Sequence, residues 1–217
     1  MRLTLFGASG RTGRQITAQA LERGHAVTAV ARSRISRDEL DGTRPTDAPG
    51  SLEVRVLDLA DPRTVAGAVS GADAVVCTVG PRGTGPTSVQ TDVARTALSA
   101  MEATGVRRLV AVSAAGFHTE GDGRFVRGVV KPVLGRVLRH SFADQRAMES
   151  LITASGTDWT LMWPPRLTDG PRTAAYRSSM DRNVRGSFSV SRANLAQAVL
   201  DALENPATIG RAVAVAD

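Results

Sequence analysis

Short β-branched apolar runs alternate along this chain with longer stretches in which apolar residues recur every three or four positions. The first pattern predicts strands and the second predicts helices. Strand-like runs are LTLFG (3–7), AVTAVA (26–31), LEVRVLD (52–58), AVVCTVG (74–80), RLVAVSA (108–114), DWTLMWP (158–164) and RAVAVA (211–216). Helical patterns fill about 11–23, 62–69, 87–104, 143–155 and 192–204. Gly24, Gly71, Gly105 and Gly156 fall at or just past predicted helix ends, where a left-handed cap favours glycine. Strands and helices in this alternation build βαβ units, and near-continuous apolar strands require a parallel sheet covered on both faces. The fold class is therefore α/β, a doubly wound parallel sheet in a single domain over 1–217.

Two segments interrupt the rhythm. Residues 34–51 are polar and rich in glycine and proline, which predicts a short helix and a surface loop. Residues 117–142 place apolar side chains at 126, 129, 130, 133, 134, 137 and 138, a helical stripe crossed by Pro132. Arg124, Arg127, Lys131, Arg136 and Arg139 surround that stripe, making it a basic insertion. The expectation is a helix packed over the sheet edge; the alternatives are a lid, a partner surface or a membrane-facing helix.

The first strand run leads directly into GASGRTGR, in which Gly7, Gly10 and Gly13 stand three residues apart at a strand-to-helix junction. In that setting Gly7 makes a tight turn, Gly10 lets a diphosphate approach the backbone, and Gly13 allows close helix-to-strand packing. The free N–H groups of the helix start then bind the anion, with Ser9, Arg11 and Thr12 alongside. This is the context of a Rossmann-like dinucleotide site. An NAD site places Asp or Glu at the end of the second strand, to bind the ribose 2′-hydroxyl. Here AVTAVARSR places Arg32 there, followed by Arg34 and Arg37, and no acid comes before Asp38. A guanidinium fork suits a 2′-phosphate, so the expected cofactor is NADPH. Asp58 and Leu59 after the third strand are placed to flank an adenine. Gly80, Pro81 and Arg82 after the fourth are placed to approach the ribose.

Composition narrows the remaining classes. The chain has 217 residues, 42% of them apolar, and no run reaches the roughly 18 residues of a membrane span. It enters a strand pattern at once, without a signal-peptide core, so a cytoplasmic location with no membrane partner is expected. A lone cysteine, Cys77, within an apolar run is expected to be a small core residue, and no metal site is expected. The net charge is +6, yet 26 of the 27 basic residues are arginines scattered among acids, and aromatics make up 4%. That excludes a base-stacking nucleic-acid platform and favours a compact phosphate-bearing ligand. A monomer or homodimer acting on a small molecule is the expected form.

GASGRTGR, AVARSR, VLDLAD, DAVVCTVGPRGTGPTSV, VRRLVAVSAAG and ADQRAMESLITASGTDWTLMWPPRLTDGPRTAAY together resemble the atypical short-chain dehydrogenase/reductase group of NAD(P)H-binding proteins. That group includes biliverdin reductase B, also called flavin reductase, and the NmrA-like proteins. The resemblance spans nearly the whole chain. It implies a single Rossmann-like domain, NADPH use and, in the flavin-reductase branch, hydride transfer to flavins or related conjugated acceptors. A flavin would then be a substrate and not a prosthetic group. Against that branch, Ala114 stands where a serine is expected and Arg166 where a histidine is expected.

Typical short-chain dehydrogenases use a serine after the fifth strand and a Tyr-x-x-x-Lys pair that exchanges a proton with a carbonyl oxygen. The only tyrosine here, Tyr176, is followed four residues later by Met180, and the only lysine, Lys131, is preceded by Arg127. Carbonyl reduction is thereby disfavoured, whereas a flavin or quinone delocalises the incoming charge and takes its proton from water. Ser113 and Arg166 are the candidate catalytic residues, with Ser113 and Pro164 also placed beside the nicotinamide. Of Trp159 and Trp163, which share strand parity, at least one is expected in the core. Phe117 and His118 could line an acceptor pocket, although a loop histidine is more often merely solvated, and His25 receives no role. The alternative function is a non-catalytic, NmrA-like sensor of the NADPH/NADP ratio acting through a protein partner. A sugar-nucleotide epimerase is disfavoured by the missing Tyr/Lys pair.

Overall fold

In the computed structural model the described residues are 1–32, 40, 47–81, 83–186 and 188–217. Seven parallel strands carry the fold: β1 (Arg2–Phe6), β2 (Ala26–Ala31), β3 (Ser51–Val56), β4 (Ala74–Cys77), β5 (Arg108–Val112), β6 (Asp158–Trp163) and β10 (Arg211–Ala216). A short β8 (Arg177–Met180) closes one edge antiparallel to β10, giving the order β3-β2-β1-β4-β5-β6-β10-β8. β7 (Arg166–Thr168) and β9 (Ser189–Ser191) form a separate parallel pair. The strand order reverses between β1 and β4. In an open parallel sheet the crevice at that reversal is where ligands collect.

Every predicted parallel strand is present, and the helices are α1 (Arg11–Glu22), α2 (Pro62–Val69), α3 (Val89–Thr104), α4 (Lys131–Val137), α5 (Arg139–Thr153) and α6 (Arg192–Glu204). Ile16, Ala20 and Leu21 of α1 pack with Leu195, Val199 and Leu200 of α6 on one face of the sheet. Val65 and Val69 of α2, Val93 and Met101 of α3, and Met148 and Ile152 of α5 cover the other. This is the doubly wound α/β arrangement with helices on both faces. Cys77 is a buried core residue, and burial pushes its thiol pKa up to about 12, so it is no nucleophile.

Local signals explain the boundaries. The Asp61 carboxylate accepts from the Arg63 N–H at 3.0 Å and Pro62 opens α2; the Ser191 hydroxyl accepts from the Asn194 N–H at 3.0 Å and opens α6. α3 lacks such a cap. Its Gln90 and Thr91 N–H groups instead donate to the buried carboxylate of Asp144 on α5, both at 3.0 Å. Gly24, Gly71 and Gly105 have the expected left-handed φ of +78°, +74° and +75°. Gly156 does not. α5 stops earlier, at Thr153, because the Ser155 hydroxyl donates to the Ile152 carbonyl at 2.6 Å and closes the turn with Ala154 still right-handed.

The basic insertion departs from expectation. Its chain forms a π turn (Val126–Val130) that runs on into α4, and Pro132, which has no N–H to donate, directly follows that widened turn. Only part of its apolar stripe packs inward, Val126 and Leu138 being half-buried and Leu134 lying against Gly116, whereas Phe125, Val129, Val133 and Val137 lie at the surface. α5 begins at Arg139, earlier than predicted, because Phe142 is drawn into the core. The short helix and loop expected at 34–51 fall mostly outside the described residues, except that Leu40 is fully buried. Among the described residues no helix is long and apolar enough to cross a membrane.

His25 is buried beside the start of β2, with Nδ1 3.2 Å from the Met1 amine and Nε2 3.4 Å from Glu204. Burial, reinforced by the positive amine, holds its pKa below the usual histidine range. The folded chain therefore keeps the ring neutral while the unfolded chain takes up a proton near pH 6.5, so stability falls as pH drops through that value. Thermal melts from pH 7.5 to 5 should show this fall, with a shallower slope in His25→Gln. Equal slopes would show that His25 titrates alike in both states.

Candidate active site

The glycine loop is built by close packing. Gly7 leaves β1 at φ +85°, and a Cβ there would sit 2.9 Å from the carbonyl carbon and hydroxyl of Thr78 and from the N of Val79. Thr78 N–H donates to the Phe6 carbonyl at 2.9 Å, tying the exits of β1 and β4 together. A Cβ on Gly13 would meet the Gly7 carbonyl oxygen at 2.2 Å and the Ala8 Cα at 2.7 Å. Gly10 has more room, its nearest neighbour being the Gly7 oxygen at 3.2 Å, so its bare Cα serves whatever approaches from outside. No side chain caps the N-terminus of α1, which leaves its first N–H groups facing outward.

Over this loop lies an open cavity of about 370 Å³, a volume suited to a small-molecule ligand. Gly7, Ser9 and Gly10 line it from the loop, Arg32 from the tip of β2, Leu59 from beyond β3 and Gly80 from beyond β4. Phe6, Val30, Ala31, Thr78, Val79 and Val93 complete the lining, and none of these six was singled out from the sequence. Arg32 is exposed and pairs with no carboxylate among the described residues. The residues present therefore fit a dinucleotide: a cradle without side chains for the diphosphate, apolar walls, and an unpaired guanidinium where an NAD site has an acid.

Other predicted residues lie elsewhere. Arg11 forms an ion pair with Asp169 at 2.9 Å and contributes no lining, and Thr12 is buried beneath the loop. The Asp58 carboxylate accepts from the Ala60 N–H at 2.9 Å and caps its own turn outside the lining, so only Leu59 of that pair reaches the cavity. Pro81 is half-buried next to Gly80. Arg34 and Arg82 lie outside the described residues.

Further along the same sheet edge, Ser113 follows β5, is 5% exposed, and its Oγ has no hydrogen-bond partner among the described residues. An orphaned buried hydroxyl is costly, and a ligand amide or carbonyl would satisfy it. The Ala115 N–H donates to the Pro164 carbonyl at 2.9 Å, which fixes the exits of β5 and β6 side by side. Arg166 is exposed on β7. Trp163 is core, as expected of at least one tryptophan.

His118 is not a solvated loop residue. Its ring stacks on Trp163 with centroids 3.5 Å apart and planes 17° from parallel, and Nε2 lies 3.1 Å from Oε2 of Glu149. The same glutamate accepts from Trp163 Nε1–H at 2.8 Å. The sequence held one clue to this cluster: Asp144, Gln145 and Glu149 share a helical stripe with the core residues Met148 and Ile152.

The Tyr and Lys of the usual dehydrogenase chemistry are held apart by separate partners. Tyr176 donates to Asp201 at 2.6 Å, and burial together with that carboxylate pushes its pKa far above the tyrosine range. Lys131 donates to the Ala115 carbonyl at 3.1 Å and pairs with Asp122. Among the described residues no His, Cys, Asp and Glu cluster could hold a metal ion. A wider groove of about 720 Å³ runs past Arg177, Arg182 and Arg185, away from the glycine loop.

Comparison with known proteins agrees with this geometry. A family described as NAD(P)H-binding matches residues 7–206, and the chain belongs to that family. It is 27% identical over 217 residues to the uncharacterized sugar epimerase YhfK of Bacillus subtilis strain 168, covering 98% of this chain and 92% of that one. Two solved structures share the fold over the whole chain. One is a short-chain dehydrogenase/reductase (wide type) from Veillonella parvula in complex with NADP, at TM-score 0.76 and 18% identity over 94% of its length. The other is ChuY, an anaerobilin reductase from Escherichia coli O157:H7, at TM-score 0.76 and 22% identity over 97% of its length.

The two inner glycines should separate under mutation. Gly13→Ala forces backbone apart and should cost about 1–3 kcal/mol, lowering Tm by roughly 2–10 °C. Gly10→Ala meets only the Gly7 oxygen, at 3.2 Å, so it should lower Tm less than Gly13→Ala while weakening nucleotide binding. Calorimetry of both variants with an NADPH titration checks this; a stable Gly13→Ala would remove the packing argument.

Proposed function

We propose that this protein is an NADPH-dependent reductase that passes hydride to a flat conjugated acceptor, a flavin or a quinone. The observation that carries the reading is a nucleotide cradle ending on unpaired Arg32, beside a sheet edge that assembles no tyrosine–lysine pair. NADPH, when bound, supplies a hydride from its nicotinamide ring. The loop N–H groups would hold the diphosphate, and Arg32 the 2′-phosphate as a charge-assisted fork. Ser113 Oγ is the group left to orient the carboxamide or the acceptor, at the strand end fixed by the bond from Ala115 to Pro164. The chain's work is then positioning, since a delocalised acceptor accepts its proton from water. That the Veillonella protein holds NADP and that ChuY is a reductase both support the reading.

Epimerase chemistry of the kind named for YhfK finds less support. Tyr176 is engaged by Asp201 with its proton held tightly, and no lysine stands near to acidify it.

Side-by-side titration should show NADPH binding at least tenfold more tightly than NADH. Arg32→Ala should weaken NADPH by about 10–100-fold, the worth of a charge-assisted hydrogen bond, and leave NADH nearly unchanged. NADPH oxidation with FMN and a soluble quinone should be measurable and reduced in Ser113→Ala. Tight binding without turnover across such acceptors, joined to a partner captured only at one NADPH/NADP ratio, would replace the reductase by the sensor.

A further inference from the structure

The helical segment 124–137 presents an unusual surface. Phe125, Val129, Val133 and Val137 stand four residues apart in one row, and they are among the most exposed large apolar residues described, at 70%, 50%, 58% and 61%. The opposite side is anchored. Lys131 reaches the Ala115 carbonyl and Asp122, and Leu134 lies against Gly116, where a Cβ would sit 3.4 Å from its Cδ2. The segment is therefore seated on the turn after β5 with its apolar row facing outward.

Charge completes the pattern. Elsewhere Arg2, Arg11, Arg23, Arg107, Arg192 and Arg211 each pair with a carboxylate. Around the row, Arg124, Arg127 and Arg136 have no such partner among the described residues, and Arg139 donates only to His140. Arg127 shares the side of Lys131, four residues on, but unpaired Arg136 beside the exposed apolar row, with Arg124 and Arg139 at its ends, matches a bilayer interface, where apolar side chains enter the acyl boundary and guanidinium groups meet anionic headgroups. A second copy fits poorly, because a face-to-face pairing would oppose arginine to arginine.

We propose that residues 124–137 form an interfacial contact that seats this protein on an anionic bilayer surface. This takes up the membrane-facing alternative for the basic insertion: such a contact lies on the membrane and needs no spanning run. The inference stands independently of the reductase reading.

Flotation of the full chain with vesicles tests it. Vesicles of phosphatidylcholine mixed with phosphatidylglycerol should retain the protein at least tenfold better than phosphatidylcholine alone, given about fivefold per arginine near an anionic surface. Added salt should weaken that retention. Val133→Ser/Val137→Ser should release the protein from mixed vesicles, and Arg124→Gln/Arg136→Gln should remove the preference for anionic lipid. Both changes are at exposed positions and should leave Tm and circular dichroism as in the parent. Absence of flotation, or flotation unchanged in the folded variants, would overturn the proposal. So would a parent dimer that either variant converts to monomer, since a second copy would then be the occupant.

Discussion

Where β1, β4 and α1 converge, the chain has no room for side chains. The carbonyl of Gly7 lies where a Gly13 Cβ would be, and Gly7 itself is pressed against Thr78. This contact brings the two strand exits flanking the topological reversal to hydrogen-bond distance and leaves the start of α1 bare. Arg32, Leu59 and Gly80 matter only because that convergence places them around one crevice.

A second set of contacts sets the far end of the same edge. Asp144 caps α3 from α5, Glu149 holds Trp163, and Trp163 supports the His118 ring. These are buried polar groups satisfied by one another, which is how a low-dielectric interior tolerates them. Not every group there is satisfied: among the described residues the Ser113 hydroxyl and the side-chain oxygens of Gln90 and Gln145 are buried without a hydrogen-bond partner.

Much of the fold was legible because each strand and helix carries its own periodicity, and α2 and α6 begin where their caps dictate. The glycine loop was readable for the same reason: three residues near in sequence report on one packing problem. What a pattern along the chain does not show is the partner a side chain meets. Arg11 and Asp58 carry the expected chemistry at the expected place, and here Asp169, 158 residues away, and the Ala60 N–H engage them. His118 looked solvated because its partners, Glu149 and Trp163, are distant in sequence. The apolar stripe of 117–142 looked like core, since periodicity reports that a face is apolar and not what covers it.

Lys131 has a consequence of its own. In a chain with 26 arginines and this single lysine, amine-selective chemistry finds one side-chain target, and it is the latch between the insertion and the turn after β5. Acylation there would cancel the charge that Asp122 balances and enlarge the head that fits under Ala115. Amine acylation read at Lys131, apart from the Met1 amine, therefore gauges whether the insertion is docked, with no engineered label.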